Sequence, residues 1–288
     1  SDLNWTFENF THRLMSEAGF HVDLKNPQAD GRWREFRVCM VASPLTMTTK
    51  EISFRRIKKT PWTLEGLKQR DFMNDETFEV LQTLIREKKN ILFVGPTGCG
   101  KTSLLTAMLG ATAETERSVI LEDTQEIYAP HSLCTNLLTR FDRNGHLTNW
   151  TLTDLVKLSL RLRPDRLIVG EVRGGEAKDL LLALSTGHRG SMGTLHAENA
   201  RGALWRLEML VQMGAPEWNT QTVRRLIASS LDAIVVVGFR AQQRCVLDIS
   251  AIAGLEECGF LLESKLSTSS DHIQNSSWGR ELSFISRR

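Results

Sequence analysis

The chemistry in this chain starts at one loop, Gly95-Pro96-Thr97-Gly98-Cys99-Gly100-Lys101-Thr102. Its order, G-x-x-x-x-G-K-T, lets backbone N–H groups turn inward and approach a phosphate where a Cβ would collide. Lys101 can then reach the β/γ oxygens of a nucleoside triphosphate, and the Thr102 hydroxyl can ligate Mg²⁺. Ser103 follows in the first helical turn, whose positive dipole end faces the anion. Cys99 reads as a small filler inside the loop. Such a loop needs carboxylates on neighbouring strands, one for the metal shell and one to orient or deprotonate water. Two apolar runs end in acids, Val119-Ile120-Leu121-Glu122-Asp123 and Leu167-Ile168-Val169-Gly170-Glu171. Further on, Thr186-Gly187-His188-Arg189-Gly190-Ser191-Met192-Gly193-Thr194-Leu195-His196 places two histidines around a glycine-rich strand lead-in.

The elements that must hold these groups alternate. Short β-rich runs at 91–94, 119–122, 166–170, 190–195 and 233–237 are separated by helical patterns at 101–109, 153–161, 175–185, 200–213 and 220–230. That alternation implies a mostly parallel sheet, with its strand C-termini gathered on the phosphate-loop edge. Residues 1 to about 71 read differently, as a small α+β unit. A helix is expected over 3–18, paired strands over 31–41 and 50–57, and a short helix over 63–67. A linker at 70–74 leads to a helix at 76–88, capped by Asn74 or Asp75. After Leu266 the chain is polar, with a strand pattern at 282–285.

Composition bounds the class. The 288 residues are 41% hydrophobic and 24% charged, as in an ordinary globular protein. The longest apolar run, 233–239, is far short of the ~20 residues that span a bilayer. Residues 1–10 show no signal-peptide pattern, and the chain opens without Met. The five cysteines make no CxxC pair, which argues against a disulfide framework or a four-thiolate zinc site and for the reducing cytosol. Net charge is only +2, too small for a general nucleic-acid footprint. Between Arg32 and Lys59, however, eight basic residues (Arg32, Arg34, Arg37, Lys50, Arg55, Arg56, Lys58, Lys59) stand against Glu35 and Glu51, a local balance of +6. That stretch is either a solvated sheet face or a surface that meets phosphates.

In order, the chain carries the phosphate loop, Glu122-Asp123-Thr124-Gln125-Glu126, Val169-Gly170-Glu171-Val172-Arg173-Gly174, and a histidine box ending in His196-Ala197-Glu198. This series resembles the secretion ATPase superfamily, with its Walker A loop, Asp box, Walker B strand and His box. Arg161-Leu162-Arg163-Pro164-Asp165-Arg166, and Ile52-Ser53-Phe54-Arg55-Arg56 before Thr63-Leu64-Glu65-Gly66-Leu67, resemble the branch of Tad/Flp pilus and type IV secretion ATPases. The resemblance implies an α/β fold: a RecA-like P-loop domain over 73–288 behind a smaller α+β domain over 1–72. It implies ATP and Mg²⁺ bound between the two, with residues 95–103 on the nucleotide and Thr102 and Glu171 on the metal. Glu171 becomes the Walker B carboxylate and Glu122 the Asp-box acid that acts as general base. Arg55, Arg56, Arg140 and Arg161 become candidates for the γ-phosphate or a neighbouring subunit, and His188 and His196 the His-box pair. A homo-oligomer, most often a hexameric ring, is implied. So is a cytoplasmic location, with only peripheral contact to an inner-membrane secretion or pilus platform protein and no stable nucleic-acid binding.

Departures from the pattern count as well. Thr124 replaces the proline of pilus-retraction and type II motors, and the tetracysteine insert of many type II ATPases is absent. Around 139–145 the Tad-type proline turn is replaced by Phe141-Asp142-Arg143-Asn144-Gly145, which loosens the role of Arg140. Three other readings use the same loop: a RecA-type nucleic-acid motor, a small-molecule kinase and a nucleotide-gated structural subunit without turnover. Stimulation by single-stranded DNA separates the first from a secretion motor.

Overall fold

Strands that are apolar on both faces belong in the middle of a sheet covered on both sides. In the computed structural model, which describes residues 2–47, 50–57, 60–141, 147–256 and 259–266, that is where they lie. β4 (Ile91–Val94), β5 (Ser118–Glu122), β7 (Arg166–Val169) and β8 (Met192–Leu195) are buried at every residue. With β6 (Cys134–Leu138), β9 (Ala233–Arg240), β10 (Gln243–Glu256) and β11 (Gly259–Ser264) they form an eight-stranded sheet, ordered β11-β10-β9-β4-β8-β7-β5-β6. The six strands from β9 to β6 run parallel; β10 and β11 return antiparallel at one edge. This α/β architecture is the one the alternation implied. The strand expected at 282–285, Lys58, Lys59, Cys258 and residues 142–146 lie outside the described residues.

Two cores sandwich the sheet. On one face α3 (Asp75–Arg86) and α4 (Lys101–Gly110) pack Phe78, Leu81, Leu104 and Met108 onto Phe93, Ile120 and Ile168. On the other, α5 (Leu152–Ser159), α6 (Glu176–Ser185), α7 (Ala200–Gly214) and α8 (Thr220–Ser230) cover Leu92, Leu121 and Val169. Caps fix where helices begin. Asn74 accepts the Thr77 N–H at 2.8 Å, and Thr151 and Asp154 form a reciprocal capping box.

The N-terminal unit has its own core. α1 (Asp2–Ala18) lays Leu14 and Met15 on Val38 and Met40 of an antiparallel sheet, β1 (Gln28–Trp33), β2 (Phe36–Ala42) and β3 (Lys50–Arg56). The apolar run at 31–41, read as one strand, is two. Arg34 turns with φ 54° and Trp33 pairs with Phe36, so the stretch folds back as a hairpin. The supposed linker at 70–74 is also not free chain. Phe72 and Met73 join Leu64 and Leu67 of the short α2 (Leu64–Lys68) in the core beneath β4. The Phe72 carbonyl accepts the Val246 N–H at 2.9 Å, tying this stretch to β10.

Candidate active site

The phosphate loop leaves β4 and enters α4 across two glycines that no other residue could replace without strain. Gly95 has φ 152°, and a Cβ there would lie 1.9 Å from the Val237 carbonyl of β9. Gly100 caps α4 in the left-handed region, φ 108°, with Phe72 against its Cα. Thr97, Gly98, Gly100, Lys101, Thr102 and Ser103 line an open cleft of about 840 Å³; Gly95, Pro96 and the fully buried Cys99 shape the loop from behind. Lys101 is 93% buried by its 7% exposure, and its Nζ donates to the carbonyls of Gly95 (2.9 Å) and Pro96 (2.8 Å). Burial pulls its pKa down from the usual lysine value.

Beyond Lys101 stand the strand-end groups. His196, just past β8, has Nδ1 3.5 Å from Lys101 Nζ and Nε2 3.1 Å from Glu171 Oε1. Burial, then the Lys101 charge, lowers the imidazole pKa, which favours the neutral ring. A neutral ring satisfies both neighbours in one tautomer: the proton on Nε2 faces Glu171, and the Nδ1 lone pair accepts from Lys101. Burial alone would raise Glu171. The Arg173 hydrogen bond and charge, with His196 and Lys101, hold it below the usual carboxylate range. Arg173 Nη2 lies 2.5 Å from Glu171 Oε2, and its Nη1 4.0 Å from Asp123.

Glu122 behaves oppositely. It is 4% exposed at the end of β5, and its Oε1 accepts the Glu126 and Ile127 N–H groups at 3.0 Å each. Its Oε2 has no hydrogen-bond partner among the described residues. Burial pushes its pKa up to about 7, against a partial lowering by those two backbone donors. So two carboxylates on adjacent strands titrate far apart, one held as the anion and one poised near neutrality.

The small unit supplies cations from across the cleft. Arg55 and Arg56 line it, as expected from the sequence. Arg55 Nη1 lies 3.3 Å from Glu126 Oε1, and Arg56 Nη2 3.5 Å from Glu35. Sequence reasoning missed Arg37, 3.1 Å from the same Glu126 oxygen, although it lay within the basic stretch. It also missed Arg244, whose Nε donates to the Gly98 carbonyl at 2.7 Å from the start of β10, and the aromatic floor of Trp62 and Phe72. No motif marks those; only the tertiary fold brings them to the loop.

Three expected site residues stay apart. His188 precedes β8, so it sits on the sheet edge opposite the phosphate loop, with Nδ1 2.9 Å from the Ala183 carbonyl. It therefore does not join His196. Arg161 lies in a 3₁₀ turn (Leu160–Leu162) ahead of β7, exposed and on that same far edge. Arg140 follows β6 on the near edge but donates to the Thr148 carbonyl at 2.9 Å and does not line this chain's cleft.

The family model for Type II/IV secretion system protein matches residues 12–250. The chain belongs to this family. The match spans both the basic sheet and the sandwich, so the two units are family features together. A Mycobacterium tuberculosis protein named for conjugal transfer is 31% identical over 252 residues, 85% of this chain and 71% of the relative. The type IV secretion system protein PtlH of Bordetella pertussis is 37% identical over 178 residues, 59% of this chain and 52% of the relative. Among solved structures, the VirB11 ATPase of the Brucella suis type IV secretion system superposes with TM-score 0.56 at 22% identity, covering 81% of this chain and 76% of its own. The pilus retraction motor PilT with bound ADP gives 0.55, also at 22%, covering 88% and 64%. These two show a shared fold.

Proposed function

We propose that this family member is an ATP-hydrolysing motor that energises type IV secretion or pilus assembly. One observation carries the chemistry: Lys101, Thr102, Glu122, Glu171 and His196 converge from four strand ends on one cleft, which Arg55 and Arg56 of the small unit face. The loop fits a triphosphate, because its glycines leave room that a Cβ would fill and its N–H groups open α4. Mg²⁺ fits a site of one hydroxyl, Thr102, with the anionic Glu171 lining the same cleft, since this ion keeps most of its ligands as water and phosphate. Held there, it would neutralise charge on the phosphates.

The residues then divide the work. Lys101 follows the β/γ charge. Glu122, near neutrality and with a free Oε2, orients the attacking water and takes its proton. His196 reports the state of Glu171 to Lys101. The packing of α2 and Phe72 into the large core supports a division between moving units upstream of α2. Arg140 and Arg161 serve a neighbouring copy in a hexameric ring, at the cytoplasmic face of the inner membrane beside a platform protein. The described residues include no helix long and apolar enough to cross a membrane.

The test is paired. Titration with a non-hydrolysable ATP analogue measures binding, and phosphate release measures turnover, each in the parent and in Glu171→Gln. Retained binding with slowed hydrolysis is expected; lost binding with intact per-site turnover would contradict the assignment. Turnover that depends on single-stranded DNA would favour the nucleic-acid motor instead.

A further inference from the structure

The inner side of α7 is complete without its outer face. Ala203, Leu204, Leu207, Leu210 and Val211 are buried in the core beneath it. Yet Trp205, Met209 and Met213 stand 62%, 69% and 68% exposed. Spaced by four, they share one face of the helix and make an apolar seam about 12 Å long. Single exposed apolar side chains need no account, but a seam does. No other helix outside the small unit exposes more than one large apolar side chain among the described residues. Charge indicates what covers it. By helical spacing Arg201 and Arg206 flank the seam on its two sides. Both are exposed, and neither has an ion pair or hydrogen bond among the described residues. The one acid of α7, Glu208, is taken by Arg224 of α8 at 2.8 Å, and Gln212 donates to the Trp218 carbonyl at 2.8 Å. The outer face is therefore apolar with uncompensated positive charge. A second copy of this face would bring two more arginines and no free acid. The arginines proposed to serve a neighbouring copy lie at the sheet's edges, whereas α7 covers a face. A bilayer surface would have to take Glu208 and Gln212, beside the seam, into its apolar boundary. A single helix laid along the seam meets none of these costs.

We propose that the Trp205–Met209–Met213 seam docks an amphipathic helix of a partner protein, whose apolar residues recur at four-residue spacing and whose flanking acids meet Arg201 and Arg206. Trp205 is the anchor, large and rigid, and the two unbranched methionines adapt to the side chains laid on them. Docking has a route to the chemistry, because α7 begins four residues after His196. Burial first, then the Lys101 charge, with Arg206 a further contributor, lower the His196 imidazole. A carboxylate brought to Arg206 is therefore felt at the catalytic edge. The proposal goes beyond the ATPase reading and does not depend on it.

Fluorescence anisotropy of two labelled helical peptides tests it on the full chain. Both carry leucine at four-residue spacing; one is flanked by glutamates, the other by lysines at the same places. The acidic peptide should bind the parent at least about tenfold more tightly than the basic one. Trp205→Gln with Met209→Gln should weaken the acidic peptide at least about tenfold. Phosphate release and the thermal midpoint should stay near the parent's, which separates lost docking from lost folding. Arg201→Glu with Arg206→Glu keeps the seam and should invert the preference between the peptides. Equal binding of both peptides by the parent, or unchanged acidic binding when Trp205 and Met209 are replaced, overturns the proposal. So does flotation of the parent, but not of that variant, with phosphatidylglycerol vesicles, which assigns the seam to a membrane. A lower assembly mass in that variant overturns it too, and assigns the seam to a second copy. None of these outcomes touches the ATPase reading, whereas a parent that binds the acidic peptide but releases no phosphate overturns that reading alone.

Discussion

At the scale of single residues, the site is a set of charges whose neighbours have been chosen for them. Lys101 is buried against its own loop carbonyls and has few other roles. Lys101→Ala should lower phosphate release ~10²–10³-fold, as expected on deleting a preorganised charge at a transferring phosphoryl group. A folded variant with near-parent turnover would end the ATPase assignment. Glu122 gives a sharper test, because its pKa is raised to about 7 by burial. A base works only when deprotonated, so kcat/KM should rise with pH through an acid limb near 7. That limb should vanish from the residual activity of Glu122→Gln. Stability carries the opposite sign. The folded pKa lies above the unfolded one, so the neutral form favours the fold below about 4.5, and this is lost as pH rises through about 7. The span is worth up to about 3 kcal/mol. Glu122→Gln should flatten the decline in denaturation midpoint across pH 5–8.

At the scale of elements, the motif Arg161–Arg166 shows how far sequence goes. Its last residue is the largest fully buried side chain among the described residues, 2% exposed, and ties α3 to the loops ahead of β5 and β8. Arg166 pairs through Nε with Glu116, donates to the Gly190 carbonyl at 2.8 Å and reaches the Ile85 carbonyl at 3.5 Å. Arg166→Met should cost about 1–3 kcal/mol in unfolding free energy, because it leaves the Gly190 carbonyl without its donor, while Glu116 keeps Lys88. Arg161→Met, five residues away and exposed, should stay within about 0.5 kcal/mol. Urea melts of the two variants check the contrast. The linear string distinguishes neither arginine, since burial is decided by where β7 meets β8. The same limit explains the other gaps. β4, α4 and the acids at 122 and 171 were legible because loop, helix and strand end are contiguous in sequence. His188 was misplaced because two histidines bracketing a four-residue strand look adjacent, while the strand carries them to opposite sheet edges. The hairpin at Arg34 was hidden by apolar residues on both arms. β10 and β11 are half exposed and bulged, so their alternation is irregular. Packing of Phe72 under the loop involves partners more than a hundred residues apart, such as Val246.

At the scale of the whole molecule, two arginines carry charge that this chain's cleft does not use. Arg161 is exposed and forms no ion pair among the described residues; Arg140 spends its guanidinium on one carbonyl. They lie on opposite sheet edges, and Arg161, on the edge away from the phosphate loop, cannot reach the cis site without breaking an element. A second copy placed against either edge removes that obstacle. In the proposed ring, each site is built from one subunit's loop and its neighbour's arginine. Complementation in trans follows. Lys101→Ala supplies an intact arginine with a dead loop, and Arg161→Ala supplies an intact loop with no arginine. Each protein alone should be nearly inactive, and Arg161→Ala should still bind nucleotide with parent affinity. Mixing them should restore turnover, because some interfaces then pair a sound loop with a sound arginine. Mass measurement at micromolar concentration with Mg²⁺ and AMP-PNP should show a hexamer for the parent and for the mixture. A hexamer whose mixture stays inactive would assign Arg161 to the surface and leave Arg140, tested by the same mixing, as the trans residue. A strict monomer that hydrolyses ATP at full rate would show that the site is complete within one chain, and the ring mechanism would fall with it.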